Sequence, residues 1–111
     1  MSLYYIETKN GKLTAINPSQ IKMIYVDKCS FQYPSNSMSQ IEHVVSVRIR
    51  FSDGYEILIQ EYKCNDPEEV DSLIKKANEY MSRIVEGINN FEVKHSYPDE
   101  VFRRIHGLGG N

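Results

Sequence analysis

Three histidines and two cysteines are the side chains of this 111-residue chain best suited to metal or nucleophilic chemistry. A metal site needs its ligands gathered at short, recurring spacings. His43, His95 and His106 lie far apart along the chain and show no such spacing. His43 falls in the apolar row of a strand pattern, where a hydrogen-bonded core or rim histidine is expected. Cys29 and Cys64 each follow a lysine, which can lower a thiol pKa, but they form no metal or redox motif and read as structural thiols at strand ends. Serines cluster between Ser30 and Ser39 without a nucleophile elbow or an S-x-x-K context. The acid pairs Glu68/Glu69 and Asp99/Glu100 stand at expected helix starts, where capping accounts for them. No acid–base or nucleophile set is assembled, so no catalytic residue, metal or cofactor is assigned and a non-enzyme is expected.

Cationic side chains offer better binding candidates. Arg48 and Arg50 share the polar side of the clearest strand, with Lys22 and Lys28 on a neighbour. With some of the eight tyrosines they would make a basic, aromatic face for a nucleotide or single-stranded nucleic acid. The plainer expectation is a solvated face with cross-strand pairs to Glu42 and Glu56. Arg103, Arg104 and His106 form a second positive cluster suited to an acidic partner or a phosphate. The helix region holds six carboxylates (Asp66, Glu68, Glu69, Asp71, Glu79, Glu86) against Lys75, Lys76 and Arg83. That surface repels nucleic acid, as does the overall net charge of −2, so nucleic acid ranks below a protein or small anionic ligand.

The elements that position these residues follow from periodicity. Leu3 to Thr8 and Lys12 to Ile16 read as a hairpin about Asn10-Gly11, a type I′ signal. Asn17-Pro18-Ser19 breaks the ladder, and Ile21 to Lys28 is a third strand, with Ile21, Met23 and Tyr25 on one side and Ile24 and Val26 on the other. Ser30 to Gln40 reads as a loop. From Ile41 to Phe51 the alternation is nearly strict: Ile41, Val45, Val47, Ile49 and Phe51 point one way, with His43 in the same row, and Glu42, Ser46, Arg48 and Arg50 the other, with Val44 the exception. Ser52-Asp53-Gly54 returns the chain into a strand from Tyr55 to Tyr62.

A helix then opens at Asp66-Pro67-Glu68-Glu69, with Asp66 expected to accept the Glu69 amide and Pro67 in the tolerated first position. Val70, Leu73, Ile74, Ala77, Tyr80, Met81, Ile84 and Val85 form its apolar stripe, and Gly87 reads as its C′ residue. Beyond it, Phe91, Val93, His95 and Tyr97 suggest a short sixth strand, and Pro98-Asp99-Glu100 a last helical segment through Val101, Phe102 and Ile105.

The expected fold is therefore α+β: an antiparallel sheet of five or six strands packed against one long amphipathic helix, with a short C-terminal helical segment. Residues 1–87 are expected to form this single domain, and 88–111 a partly flexible extension. One helix covers one sheet face, which leaves Val44, Leu58 and Tyr62, with Ile24 and Val26, as candidates for an oligomer interface on the other. No apolar run reaches membrane-spanning length, and charge enters early in MSLYYIETKNGK, so a cytoplasmic protein with reduced thiols and no membrane contact is expected.

Two families share features with the chain. LTAINPSQIKMIYV, VRIRFSDGYEILIQE and PEEVDSLIKKANEYM are similar in order and spacing to small flagellar FlbD-type proteins, which implies strands followed by a helix over residues 13–81 and no particular activity. YYIETKNGKLTAINPSQIKMIYVDK resembles the opening strands of LytTR-type DNA-binding domains, and Phe102-Arg103-Arg104-Ile105-His106 their F-x-R-I-H segment. That resemblance implies DNA contacts from Arg104 and His106. It breaks at Gly107 to Gly110, where the family has a basic residue, a serine and a closing strand.

The expected function is a small non-catalytic binding or adaptor protein, homodimeric or higher, of bacterial or phage origin. It would act through protein–protein or small-anion (nucleotide) binding. A LytTR-like nucleic-acid-binding regulator is the first alternative, and a small enzyme of unknown type the second.

Overall fold

The computed structural model describes residues 3–33 and 40–95. Along the chain run β1 (Tyr4–Glu7), β2 (Leu13–Ile16), a 3₁₀ turn (Pro18–Gln20), β3 (Ile21–Tyr33), β4 (Gln40–Phe51), β5 (Glu56–Cys64), a second 3₁₀ turn (Pro67–Glu69) and α1 (Val70–His95). The fold is α+β, with antiparallel strands and one long helix. The strands divide into two sheets, in place of the expected single sheet: β1 pairs with β2, and β3-β4-β5 form a three-stranded sheet in that order. The division follows from Pro18, buried in the 3₁₀ turn, which lacks an N–H for a ladder. Asn17 caps that turn by accepting the Ser19 amide at 3.1 Å, so the chain swings away between β2 and β3.

Both hairpin turns close alike. The Thr8 carbonyl accepts from the Gly11 amide, and the Phe51 carbonyl from the Gly54 amide, each at 2.9 Å. Gly11 and Gly54 take φ of 76° and 89°, and no non-glycine among the described residues has a positive φ. The expected type I′ turn needs that conformation at Asn10 as well. The loop is instead a type I turn closed by a left-handed glycine.

The core lies between β4 and α1. Val45, Val47 and Ile49 on β4, Ile59 on β5 and Ala77 on α1 are fully buried. The expected two-sided pattern of β3 resolves with Ile24 and Val26 towards the helix, because they pair with Ile49 and Val47. A register shift between Ile21 and Met23 lets Ile21 pack on the core too, leaving Met23 and Tyr25 on the open face. A second shift, against Val47/Arg48, gives β5 one extra residue. Such a bulge reverses the alternation beyond it. Ile57 and Ile59 face the core before it; beyond it Tyr62, opposite Val45, does too, so Tyr62 belongs to the covered face, not the open one. The β3–β4 ribbon also continues through Ser30 to Tyr33 and Gln40, inside the segment expected to be a loop.

The helix opens at Asp66, whose carboxylate accepts the Glu68 amide at 2.9 Å; the Glu69 amide instead donates to the Asp66 carbonyl at 3.0 Å. At its far end the helix continues through Gly87 to His95, so Gly87 is not a C′ residue and Phe91 to His95 are helical, not a sixth strand. The first part of the span expected to be an extension is thus helix, with Ile88 buried in the core. Gly87 has a packing reason: a Cβ there would collide with the Tyr4 hydroxyl. The Tyr4 ring lies across this turn and meets Phe91 at 5.3 Å between centroids, tying the β1–β2 hairpin to the helix. Ile6 and Ile16 of that hairpin complete the core. The segment from Pro98 onward lies outside the described residues.

A methyl group at Gly87 should therefore cost stability although alanine is the better helix former. Gly87→Ala gains about 1 kcal/mol in propensity and loses about 1–3 kcal/mol to overpacking. Chemical denaturation should show Gly87→Ala destabilised in the native background. In a Tyr4→Phe background, where the hydroxyl is gone, the same change should be neutral or stabilising.

Candidate functional site

The face of the three-stranded sheet turned away from the helix carries two of the charged candidates, Arg48 and Arg50. Its rows follow from the register: Met23, Arg50 and Glu56; then Tyr25, Arg48 and Leu58; then Asp27, Ser46 and Glu61; then Cys29, Val44 and Lys63; then Phe31 and Glu42. Arg48 and Arg50 thus lie side by side on an open face, as their spacing predicts.

They are not free cations. The Arg50 guanidinium donates to Glu56 Oε2 from Nε at 2.7 Å and from Nη2 at 2.6 Å. The Tyr25 hydroxyl donates to the same oxygen at 2.7 Å, and Arg50 lies over the Tyr25 ring at 5.5 Å from its centroid. Hydrogen bonds from Tyr25 and then Arg50 hold the Glu56 carboxyl below its ordinary range. The Glu56 hydrogen bond in turn raises both the Tyr25 and the Arg50 pKa. Arg48 donates from Nε to Ser46 Oγ at 3.2 Å and stands 4.0 Å from Asp27. Further along, Lys9 from the first hairpin reaches Glu61 at 2.7 Å, and Lys63 lies 3.6 Å from Glu61 and 3.9 Å from Glu42. The Lys9 hydrogen bond lowers the Glu61 pKa.

Cations and carboxylates alternate across this face, so its net field is small. The expected pairing to Glu56 is present; Glu42 lies near Lys63 in place of an arginine. The Tyr25 contribution has a signal in sequence only once the β3 register is known, because Tyr25 and Glu56 stand on strands separated by β4.

The remaining candidates are dispersed. Val44 is on the open face but only 5% exposed, and Leu58 is half-buried there between long polar neighbours. Tyr62, on the helix side, is not part of an open patch. Arg103, Arg104 and His106 lie outside the described residues. His43 Nδ1 shares a hydrogen bond of 2.9 Å with Ser30 Oγ at the sheet rim. The Cys64 thiol donates to the Asp66 carbonyl at 3.3 Å, and burial, with Glu69 and Asp66 nearby, pushes its pKa up, away from nucleophilic use. Among the described residues no group of His, Cys, Asp or Glu is placed to hold a metal ion, and no helix is long and apolar enough to cross a membrane.

The Tyr25–Arg50–Glu56 cluster has a pH signature. Because folding lowers the Glu56 pKa, its stabilisation is complete above about pH 5 and drains away as pH falls through the lowered value. Melting curves should separate native protein from Glu56→Gln at neutral pH and bring them together in acid. Equal separation across the range would break the assignment.

Comparison with family models, with curated proteins and with solved structures finds no match to this chain.

Proposed function

We propose that this chain is a non-catalytic binding or adaptor protein that works through protein–protein contacts, the first of them with another copy of itself. The observation that carries the reading is the outer edge of β3. This strand is 13 residues long, and among the described residues it pairs only with β4. An unpaired edge of that length is a template for strand addition. The β3–β4 ribbon also runs past the end of β5 at Cys64, carrying Phe31 at 47% and Ile41 at 46% exposure, while Met23 nearer the other end is 41% exposed. Exposed apolar side chains along an unpaired edge support a protein partner better than a small anion.

A small-anion role at Arg48 and Arg50 receives less support, since both are already close to carboxylates. The LytTR-like alternative takes its DNA contacts from Arg104 and His106, which lie outside the described residues. The enzyme alternative has no assembled acid–base pair or activated nucleophile among the described residues to support it. Bacterial or phage origin and a cytoplasmic setting belong to the same proposal.

Light scattering on the purified chain should give at least a dimer mass at micromolar concentration. Replacing Met23 and Phe31 together by lysine should shift it to monomer, with little loss of melting temperature because both side chains are exposed. A native chain that stays monomeric up to millimolar concentration would defeat self-association. Oligomers unaffected by the double variant would place the contact elsewhere than β3.

A further inference from the structure

A second concavity lies at the far end of β4 from the ribbon, and it is independent of the β3 edge. It is a cleft of about 290 Å³ between β2, the first 3₁₀ turn and the β4–β5 turn. Its floor is apolar, from Ile16 and Ile57. One wall is a pair of aromatic rings: Phe51 and Tyr55 stack with centroids 6.5 Å apart and planes 27° from parallel. Tyr55 is 66% exposed, a large ring left in water at the mouth of an apolar hollow. The remaining lining includes the polar residues Thr14, Asn17 and Gln20.

Hydrogen bonds brace the segments that line it. The Asn17 amide oxygen accepts from the Ser19 amide at 3.1 Å and from Ser19 Oγ at 2.8 Å. The Gln20 carbonyl accepts from the Ser52 amide at 2.8 Å and from Ser52 Oγ at 3.1 Å, latching the first 3₁₀ turn to the β4–β5 turn. Asp53 Oδ1 accepts the Tyr55 amide at 2.9 Å, and Gly54 supplies the left-handed φ of 89° that closes the turn. A cleft built this way loses little freedom when it is filled.

Its chemistry narrows the occupant. Among the described residues Asp53 is the one charged side chain lining it, and no lysine or arginine of those residues does. An anionic ligand meets repulsion there, whereas an N–H donor meets a carboxylate among the lining residues. A flat ring fits the aromatic wall, where stacking of a base on an aromatic side chain is a favourable and common contact. The volume is at the small end of the range for ligand pockets, right for one or two fused rings. We infer that this cleft binds a flat nitrogen heterocycle bearing N–H donors, of the aminopurine or aminopyrimidine class, through a part of the ligand that carries no negative charge.

Titration with adenine, followed by amide NMR shifts, tests the assignment. The expected result is saturable shifts at Gln20, Gly54 and Tyr55. Orotate, a flat but anionic ring, should bind more weakly. Tyr55→Ala should weaken adenine by about tenfold through loss of the stacked ring. Asp53→Asn keeps the turn acceptor but removes the charge, and should weaken adenine several-fold while the spectrum stays folded. No saturable shift with adenine, orotate binding as tightly as adenine, or both variants binding like the native chain would each overturn the proposal. Saturation by phenylalaninamide but not adenine would overturn it too, and would give the cleft to a partner's side chain.

Discussion

Burial of one row of β4 beneath α1 is the constraint on which the rest depends. Val45, Val47 and Ile49 have no accessible surface, and each such side chain contributes about 1.5–3 kcal/mol relative to exposure. Sliding β4 by one residue would exchange that row for Ser46, Arg48 and Arg50, placing two guanidinium groups under an apolar helix. The register of β4 is therefore firm, and β3 and β5 take theirs from it. The two register shifts, near Lys22 on β3 and near Ile59 on β5, are how the flanking strands bring Ile21, Ile24, Ile57, Ile59 and Tyr62 onto a row that their own alternation does not supply.

This explains what could be read from the sequence and what could not. β4 was legible because its alternation is broken only at Val44 and its partner turn, Ser52-Asp53-Gly54, is explicit. The helix start was legible because Asp66-Pro67 states it in local chemistry. Tyr62 was misplaced because a bulge leaves no mark in a pattern of apolar residues on both faces, and counting in twos past it yields the wrong side. Gly87 misled for a different reason. A glycine near the expected end of a helix usually marks termination, and the cause of this one is Tyr4, more than eighty residues earlier in the chain. The division into two sheets turns on Pro18 in a similar way: the break in the ladder was visible, but where the broken hairpin docks is decided by Tyr4, Ile6 and Ile16 against the helix. Of the candidate sites, the closeness of Arg48 and Arg50 was legible and the Tyr25 hydroxyl on Glu56 was not. The cleft beside Tyr55 was wholly invisible, since its walls come from three separate elements.

The open sheet face illustrates how charge serves packing. An exposed ion pair contributes only about 0–1 kcal/mol, so the pairs on this face are weak evidence of stability taken one at a time. Their stems do more. Val44 and Ser46 are nearly inaccessible, flanked in the sheet by long neighbours, among them Arg48, Glu61 and Lys63. Pairing the heads fixes where those stems lie. The middle of a face arranged so is suited to remaining in water, with Val44 shielded and its field cancelled.

Exposed apolar surface is found instead towards the two ends of β4. Over its 12 residues the strand spans about 35 Å, from the ribbon that carries Phe31 and Ile41 to the turn that carries Tyr55. At each end large apolar or aromatic side chains are exposed, whereas Val44 and Ser46 in the middle are nearly inaccessible. The ends also differ from each other. The ribbon offers backbone groups along an open edge, which suits a strand from another chain. The turn offers a walled hollow with one carboxylate at its rim, which suits a small flat donor. Because α1 and the β4 core join the two ends through closely packed side chains, an occupant at either one would meet a surface already set in place, and neither site requires the other to be filled.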